Sequence, residues 1–407
     1  MDRLNKITFA LDKISLWSLY LLIFCLPFSK SIVEITIVTA LVSFVALKLV
    51  RREPMLGNIT LIDLALIIFI AANILSLLNT QYPALSIRAL FSKILKFALL
   101  FVLAREIINT RTKLKDFITM AILSCVIIII DGFIQYFFTR YDILHMYPAF
   151  KYAPSTPWCK IFPTASFPFP NDYAAWILIF IFPAAIFAFL GKGNIPARLG
   201  AAMLFFGLLY SLILTKARGA WSGFLLALGT VPFFRLKKGL ILLAAAILII
   251  IVFLNENTVQ DIFSRLSFED RKVMWENGVK IFKEHPIIGN GVNTFFNKYR
   301  FVRQDEDKGR GSYAHNCYLQ MAADIGLVGL LSFIFFTACV LFKAFASLKK
   351  TKDPLYYSLM LGTSLGLTAF LLHSFVDTNL YSLNLAALFW LSAGILTAVV
   401  KMAGSDS

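Results

Sequence analysis

Runs of about 20 apolar residues recur from Ile14 to Val400, and about 20 residues is the length of helix that crosses the hydrocarbon core of a bilayer. Lipid offers no partner for a backbone N–H or C=O, so each run must close its own hydrogen bonds as a helix. Composition agrees: 407 residues that are 59% hydrophobic, 40 of them Phe, leave too little polar surface to wrap a soluble core of this size. The fold class expected is an all-α integral membrane protein of about twelve transmembrane helices with a large periplasmic loop. The spans are placed at residues 14–29, 32–50, 59–79, 86–104, 115–137, 172–190, 198–215, 219–234, 239–254, 315–342, 355–375 and 384–401. The first run, "ISLWSLYLLIFCLPF", has no small-residue cleavage site and leads straight into a second, so it is read as a retained span.

Charge sets the orientation. Arg3 and Lys6, then Lys48 and Arg51, Arg105 and Lys113, Lys192 and Arg198, Lys237 and Lys238, Lys349 and Lys350, and Lys401 fall on alternate connections. The short connections between them are nearly free of Lys and Arg. The positive-inside rule then puts both termini in the cytoplasm. The net charge of +16 is absorbed by these loops and carries no expectation of nucleic acid as a partner. The chain divides into transmembrane helices 1–5 over 1–137, a periplasmic loop over 138–171, helices 6–9 over 172–254, a large periplasmic loop with short amphipathic helices over 255–313, and helices 10–12 over 314–407. No internal repeat links the halves, which argues against a transporter. By this topology Cys159 and Cys317 both face the oxidising side, and their pairing stays open.

Polar residues cluster at the outer boundary. On a helix, His315, Leu319, Ala322, Gly326 and Gly329 form one seam, its small residues suited to close approach by another helix. Asn316, Gln320 and Asp324 form a polar stripe beside it. Lys216 and Arg218 stand where a span begins; the bland reading is an interfacial anchor. Arg271 opens an amphipathic helix predicted over 270–283, ended by a turn at Pro286, Gly289 and Gly291; alone it reads as a solvated charge. His373 and Asp377 are i,i+4 neighbours within hydrogen-bonding reach. Arg88, Lys93 and Lys96 crowd a span that should be apolar, so they are expected to face a water-filled cavity holding an anion, unless Asp131 pairs with one of them. No HExxH, CxxC or phosphate-loop pattern occurs, so neither metal nor nucleotide cofactor is expected. A histidine is left as the general base and arginines as the handlers of negative charge.

"HNCYLQMAADIGLVG" and, before it, "WENGVKIFKEHPIIGNGVNTF" resemble the signature of the O-antigen ligase and polymerase superfamily. "TKARGAW" is similar to the family's arginine at the start of a span, "SFPFPNDYAAW" to its Pro-Asn segment, and "HSFVDTNLY" to its late His/Asp segment, in the same order over roughly residues 165–390. The resemblance implies a multispanning fold like that of lipid-linked glycosyltransferases, without metal. It implies His315 as the catalytic histidine, Arg218 and Arg271 as functional arginines, and Asp377 as a late acid. Arg88, Lys96, Asn171, Lys216, Asn316 and Asp377 are the expected substrate-binding residues.

The chemistry agrees with those residue types. A sugar hydroxyl needs a base as it attacks an anomeric carbon, and the departing diphosphate gathers charge that guanidinium forks hold bidentately. The expected donor is an undecaprenyl diphosphate-linked glycan and the expected acceptor a lipid A-core sugar, meeting at the periplasmic face of a bacterial inner membrane among membrane lipids. A moderate outer loop and no appended periplasmic domain favour a ligase. The alternatives are a polymerase with a second lipid-linked repeat as acceptor, a protein O-oligosaccharyltransferase, or a transporter for the same lipid-linked glycan.

Overall fold

A computed structural model describes residues 2–54, 59–152, 160–191, 193–230, 266–303 and 313–405. Its helices are α1 (Asp2–Cys25), α2 (Lys30–Arg51), α3 (Leu61–Leu75), α4 (Pro83–Ala89), α5 (Lys96–Ile107), α6 (Arg111–Ile134), α7 (Pro170–Phe189), α8 (Ile195–Thr215) and α9 (Arg218–Gly229). After these come α10 (Leu266–Glu284), α11 (Phe295–Val302), α12 (Cys317–Leu348), α13 (Pro354–His373) and α14 (Leu383–Ser405). Among the described residues nine helices are long and apolar enough to cross a membrane, and the chain is an all-α multispanning protein. The expected span at 239–254 lies outside the described residues, as do residues 231–234 of the one expected at 219–234 and Cys159. The span expected at 86–104 is not one regular helix: α4 and α5 are joined by a π-helical turn, Leu90–Leu95. The connection after α6 carries a small antiparallel hairpin, β1 (Phe150–Tyr152) with β2 (Lys160–Phe162), that the sequence reading did not anticipate.

Helix starts follow local chemistry. Thr60 caps α3 in a reciprocal box with Asp63, and Asp353 caps α13 just before Pro354. Asp63 also takes the Arg105 guanidinium at 2.6 Å in a buried pair, so Arg105 is built into the fold rather than left at a loop. Packing centres on α14 and α7. Trp390 of α14 stacks on Phe336 at 5.0 Å and lies 5.9 Å from Phe69, joining α12 and α3 to the core. Gly394 lies against the Phe101 carbonyl, and Gly366 against that of Ile179, so bare backbone lets α5 and α7 approach.

The seam receives α10 at Leu319, where Gly278 lies against it, but at Gly326 it receives a turn and not a helix. Gly326 has φ +68 and ψ −176, which breaks α12, and the turn Pro286–Gly291 enters the gap. Leu327 N bonds to Pro286 O at 2.9 Å, Val328 N to Ile287 O at 3.1 Å and Gly291 N to Asp324 O at 2.8 Å. Here the segment before α11 is stitched into the long apolar helix α12. Gly289, at φ +80, leaves no room: a Cβ would meet the Ile325 Cα and the Gly326 N. Gly289→Ala is expected to destabilise the chain by about 3 kcal/mol, adding left-handed strain to a backbone clash. Denaturation in detergent checks it, with Ile287→Ala, 66% exposed, expected near wild type as the control.

Candidate active site

Five chain ends converge on one place. α7 begins at Pro170 and presents Asn171; α9 begins at Arg218; α10 carries Arg271 in its first turns; Asn316 caps α12 directly after His315; and α13 ends at His373, followed by the turn holding Asp377. His315 is not on the helix as the seam expectation had it. It sits in the entry loop at φ +46, a left-handed conformation uncommon for a residue with a Cβ. Neighbouring backbone bonds hold it there: Cys317 N donates to Ser374 O at 2.8 Å and to Asp377 O at 3.1 Å.

Asp377 is the hub. Its Oδ2 accepts from Asn171 Nδ2 at 2.6 Å and its Oδ1 from the Thr378 amide at 2.7 Å. His315 Nδ1 faces Oδ1 at 3.6 Å, just beyond hydrogen-bonding distance, and makes no other bond among the described residues. The i,i+4 pairing expected for His373 and Asp377 stops at 4.0 Å from Nε2 to Oδ2. Asn379 instead donates to His373 Nδ1 at 3.2 Å, which leaves the ring proton on Nε2, towards the carboxylate. Burial works against a charged Asp377, but the facing His315 imidazole first, then His373 and the Thr378 amide, more than offset it and hold the carboxyl at about 2, below its ordinary 3.8. That ionised carboxylate faces His315 Nδ1, and the imidazole side chain is 35% exposed.

The linkage has a testable sign. A depressed folded-state value contributes stability above the ordinary carboxylate range and loses it as pH falls through the folded value. Asp377→Asn is therefore expected to cost about 2 kcal/mol near neutral pH, the gap to wild type closing as pH falls from about 4 to about 2. Thermal melts of both proteins across that range would read it.

Two guanidinium groups overlook the dyad. Arg271 is pressed below its usual value by burial first; the Asp377 charge works against this and the Arg218 charge adds to it, so all three groups share one electrostatic field. Arg218 is placed there by Gly219, where a Cβ would run into the His373 ring at 2.8 Å from Cδ2, and by Gly223, which lies on the Ala369 carbonyl. The structure thus brings His315, Arg218, Arg271, Asn171 and Asp377 together.

The other expected residues lie differently. Asn316 spends its Oδ1 on the amides of Tyr318 and Leu319, both at 3.0 Å, as the cap of α12. Lys216 lies over the Phe162 ring of the hairpin at 5.8 Å. Arg88 and Lys96 line a separate cavity that shares no residue with this cluster, and Lys96 is no unpaired cation, since it bonds to Glu34 at 2.7 Å. Asp131 pairs with neither: it accepts from Ser166 Oγ at 2.6 Å and the Ile143 amide at 2.7 Å. Asp172, which the sequence reading passed over beside Asn171, lies within electrostatic reach of both Asp377 and His315.

Such a site supplies an oriented imidazole, an ionised carboxylate behind it and a pair of fixed cations in front. It is equipped to take a proton from a hydroxyl while an anionic group is held close by. No curated protein matches the chain. Residues 201–334, which hold Arg218, Arg271 and His315, match the family model described as O-antigen ligase.

Proposed function

We propose that the protein is an O-antigen ligase, transferring a polysaccharide from undecaprenyl diphosphate to a sugar hydroxyl of lipid A-core at the periplasmic face of the bacterial inner membrane. The observation that carries the reading is the pairing of His315 with Asp377 beneath Arg218 and Arg271. The alternation of Lys- and Arg-rich connections supports the orientation, with both termini cytoplasmic.

In this reading the acceptor hydroxyl gives its proton to His315 Nε2 as its oxygen bonds to the anomeric carbon of the donor. The bond from that carbon to the diphosphate oxygen breaks with its electron pair, and Arg218 and Arg271 hold the charge that builds there. Asp377 stabilises the imidazolium and keeps its ring in register; Asn171 keeps Asp377 in place. The imidazolium then returns its proton to water. A single displacement of this kind inverts the anomeric centre.

A polymerase would use the same base and the same arginines, so the acceptor separates the two. The test is transfer by purified protein in detergent with chelator, given undecaprenyl diphosphate-linked glycan and lipid A-core. Glycan on lipid A-core supports the ligase. Glycan lengthening on its own carrier makes the enzyme a polymerase at the same site. Transfer to neither acceptor by folded protein sinks the enzymatic reading.

A further inference from the structure

Beside the reaction centre, with no residue in common with it, lies a cavity of about 440 Å³. Its lining comes from α2, α3, the α4–α5 segment, α12, α14 and the turn at Asn379–Tyr381. Such a volume falls in the range of small-molecule sites.

Three cations, Arg88, Lys93 and Lys96, face it against two carboxylates, Glu34 and Asp324. Lys96 is held by Glu34 at 2.7 Å. Lys93 reaches the neutral Asn293 Oδ1 at 2.6 Å and lies in the field of Asp324. Arg88, exposed at the mouth, makes no ion pair among the described residues. One positive charge is thus left over, and it stands on a helix where an unpaired charge out of water is expensive. Lys93 sits in the π-helical turn Leu90–Leu95, a distortion of weaker hydrogen bonding that recurs at functional sites.

Acceptors in the same cavity also lack partners. Asp324, 2% exposed, leaves Oδ2 without a hydrogen bond, and Asn73, fully buried, leaves Oδ1 without one. The Tyr381 phenol stands beside the Asp324 carboxylate and interacts with it. Buried acceptors without donors are costly, and such groups in a native fold call for a donor from outside the chain. Phe69 and Trp390 supply an apolar wall. An anion for Arg88 and Lys93, hydroxyl donors for Asp324 and Asn73, and an apolar face for the aromatic wall together describe a phosphorylated sugar on a lipid.

We propose that this cavity is a second ligand site, separate from the His315 centre, which takes the phosphosugar headgroup of one lipid-linked substrate. The class of ligand rests on the glycan-transfer reading above. The measurement does not, because it reads binding and not transfer. The chemistry is shared by a polyprenyl diphosphate donor and a phosphorylated glycolipid acceptor, and the arms of the test tell them apart.

Native mass spectrometry of the full chain in detergent would measure retention of undecaprenyl diphosphate, of lipid A and of phosphatidylcholine. It would do so on wild type and on Arg88→Ala, Ser92→Trp and Arg218→Ala. Ser92 is exposed at the mouth, so a Trp there blocks entry without disturbing the core. Melting temperatures confirm that the variants are folded. One phosphate lipid is expected to lose about tenfold in affinity with both Arg88→Ala and Ser92→Trp, as a lost charge-assisted contact implies, and to lose clearly less with Arg218→Ala. Which lipid responds names the substrate. Unchanged retention of both phosphate lipids in both mouth variants overturns the site. So does phosphatidylcholine retained as well as they are, or an equal loss with Arg218→Ala, which would make it one continuous site.

Discussion

His315→Ala is expected to lower kcat for glycan transfer by about 10³- to 10⁴-fold, the upper range for removing a positioned general base. The fold should survive. The side chain is 35% exposed, its Nδ1 makes no hydrogen bond, and the loop is held by the backbone bonds of Cys317 instead. The loss should fall on kcat rather than on donor KM, since the imidazole acts as the hydroxyl attacks and not as the lipid arrives. Asp377→Asn should show a smaller loss of about 10²-fold, because an amide still aligns the ring but cannot stabilise the imidazolium. A His315→Ala protein whose kcat stays within tenfold of wild type would remove the histidine from the chemistry.

The second large effect is expected at the arginines, where activity and stability should move in opposite directions. Arg271→Ala should cost about 10²- to 10³-fold in kcat, as for loss of one preorganised donor to a developing anion. Arg271→Lys should recover only part, since an ammonium supplies a point charge where a guanidinium supplies a planar fork. Yet the ligand-free protein should melt no lower with Arg271→Ala than with wild type. Burial and the facing Arg218 charge already disfavour this guanidinium, and among the described residues Asp377 compensates. Single-turnover rates and thermal melts on the same preparations would read both halves. A drop in melting temperature matching the drop in rate would mean that Arg271 holds the fold rather than the diphosphate.

Much of this was legible in the chain because it depends on local composition and on chain order. Apolar runs of span length, the capping pairs Thr60–Asp63 and Asp353–Pro354, and an amphipathic segment ahead of Pro286 are all properties of neighbouring residues, and the helices α3, α13 and α10 follow from them. The site residues were legible as types, a histidine and an arginine at helix entries where polar groups are expensive unless used. Where a side chain points is a different matter. His315 reads as the first residue of a helical seam, and it is a loop residue at positive φ because Cys317 N is drawn to Ser374 O and Asp377 O, some sixty residues on.

The same holds for the cations. Arg88, Lys93 and Lys96 look alike in sequence, yet one meets Glu34 from α2, one meets Asn293 from the segment before α11, and one stands at a cavity mouth. Gly326 looks like a helix-packing glycine, and only the entry of Pro286–Gly291 shows that it breaks α12. The sequence by itself determined that this chain lives in a bilayer as helices, because water and lipid sort residues by composition alone. Only the tertiary structure decided which polar groups form the site, because a hydrogen bond or an ion pair depends on distances between segments that lie far apart along the chain.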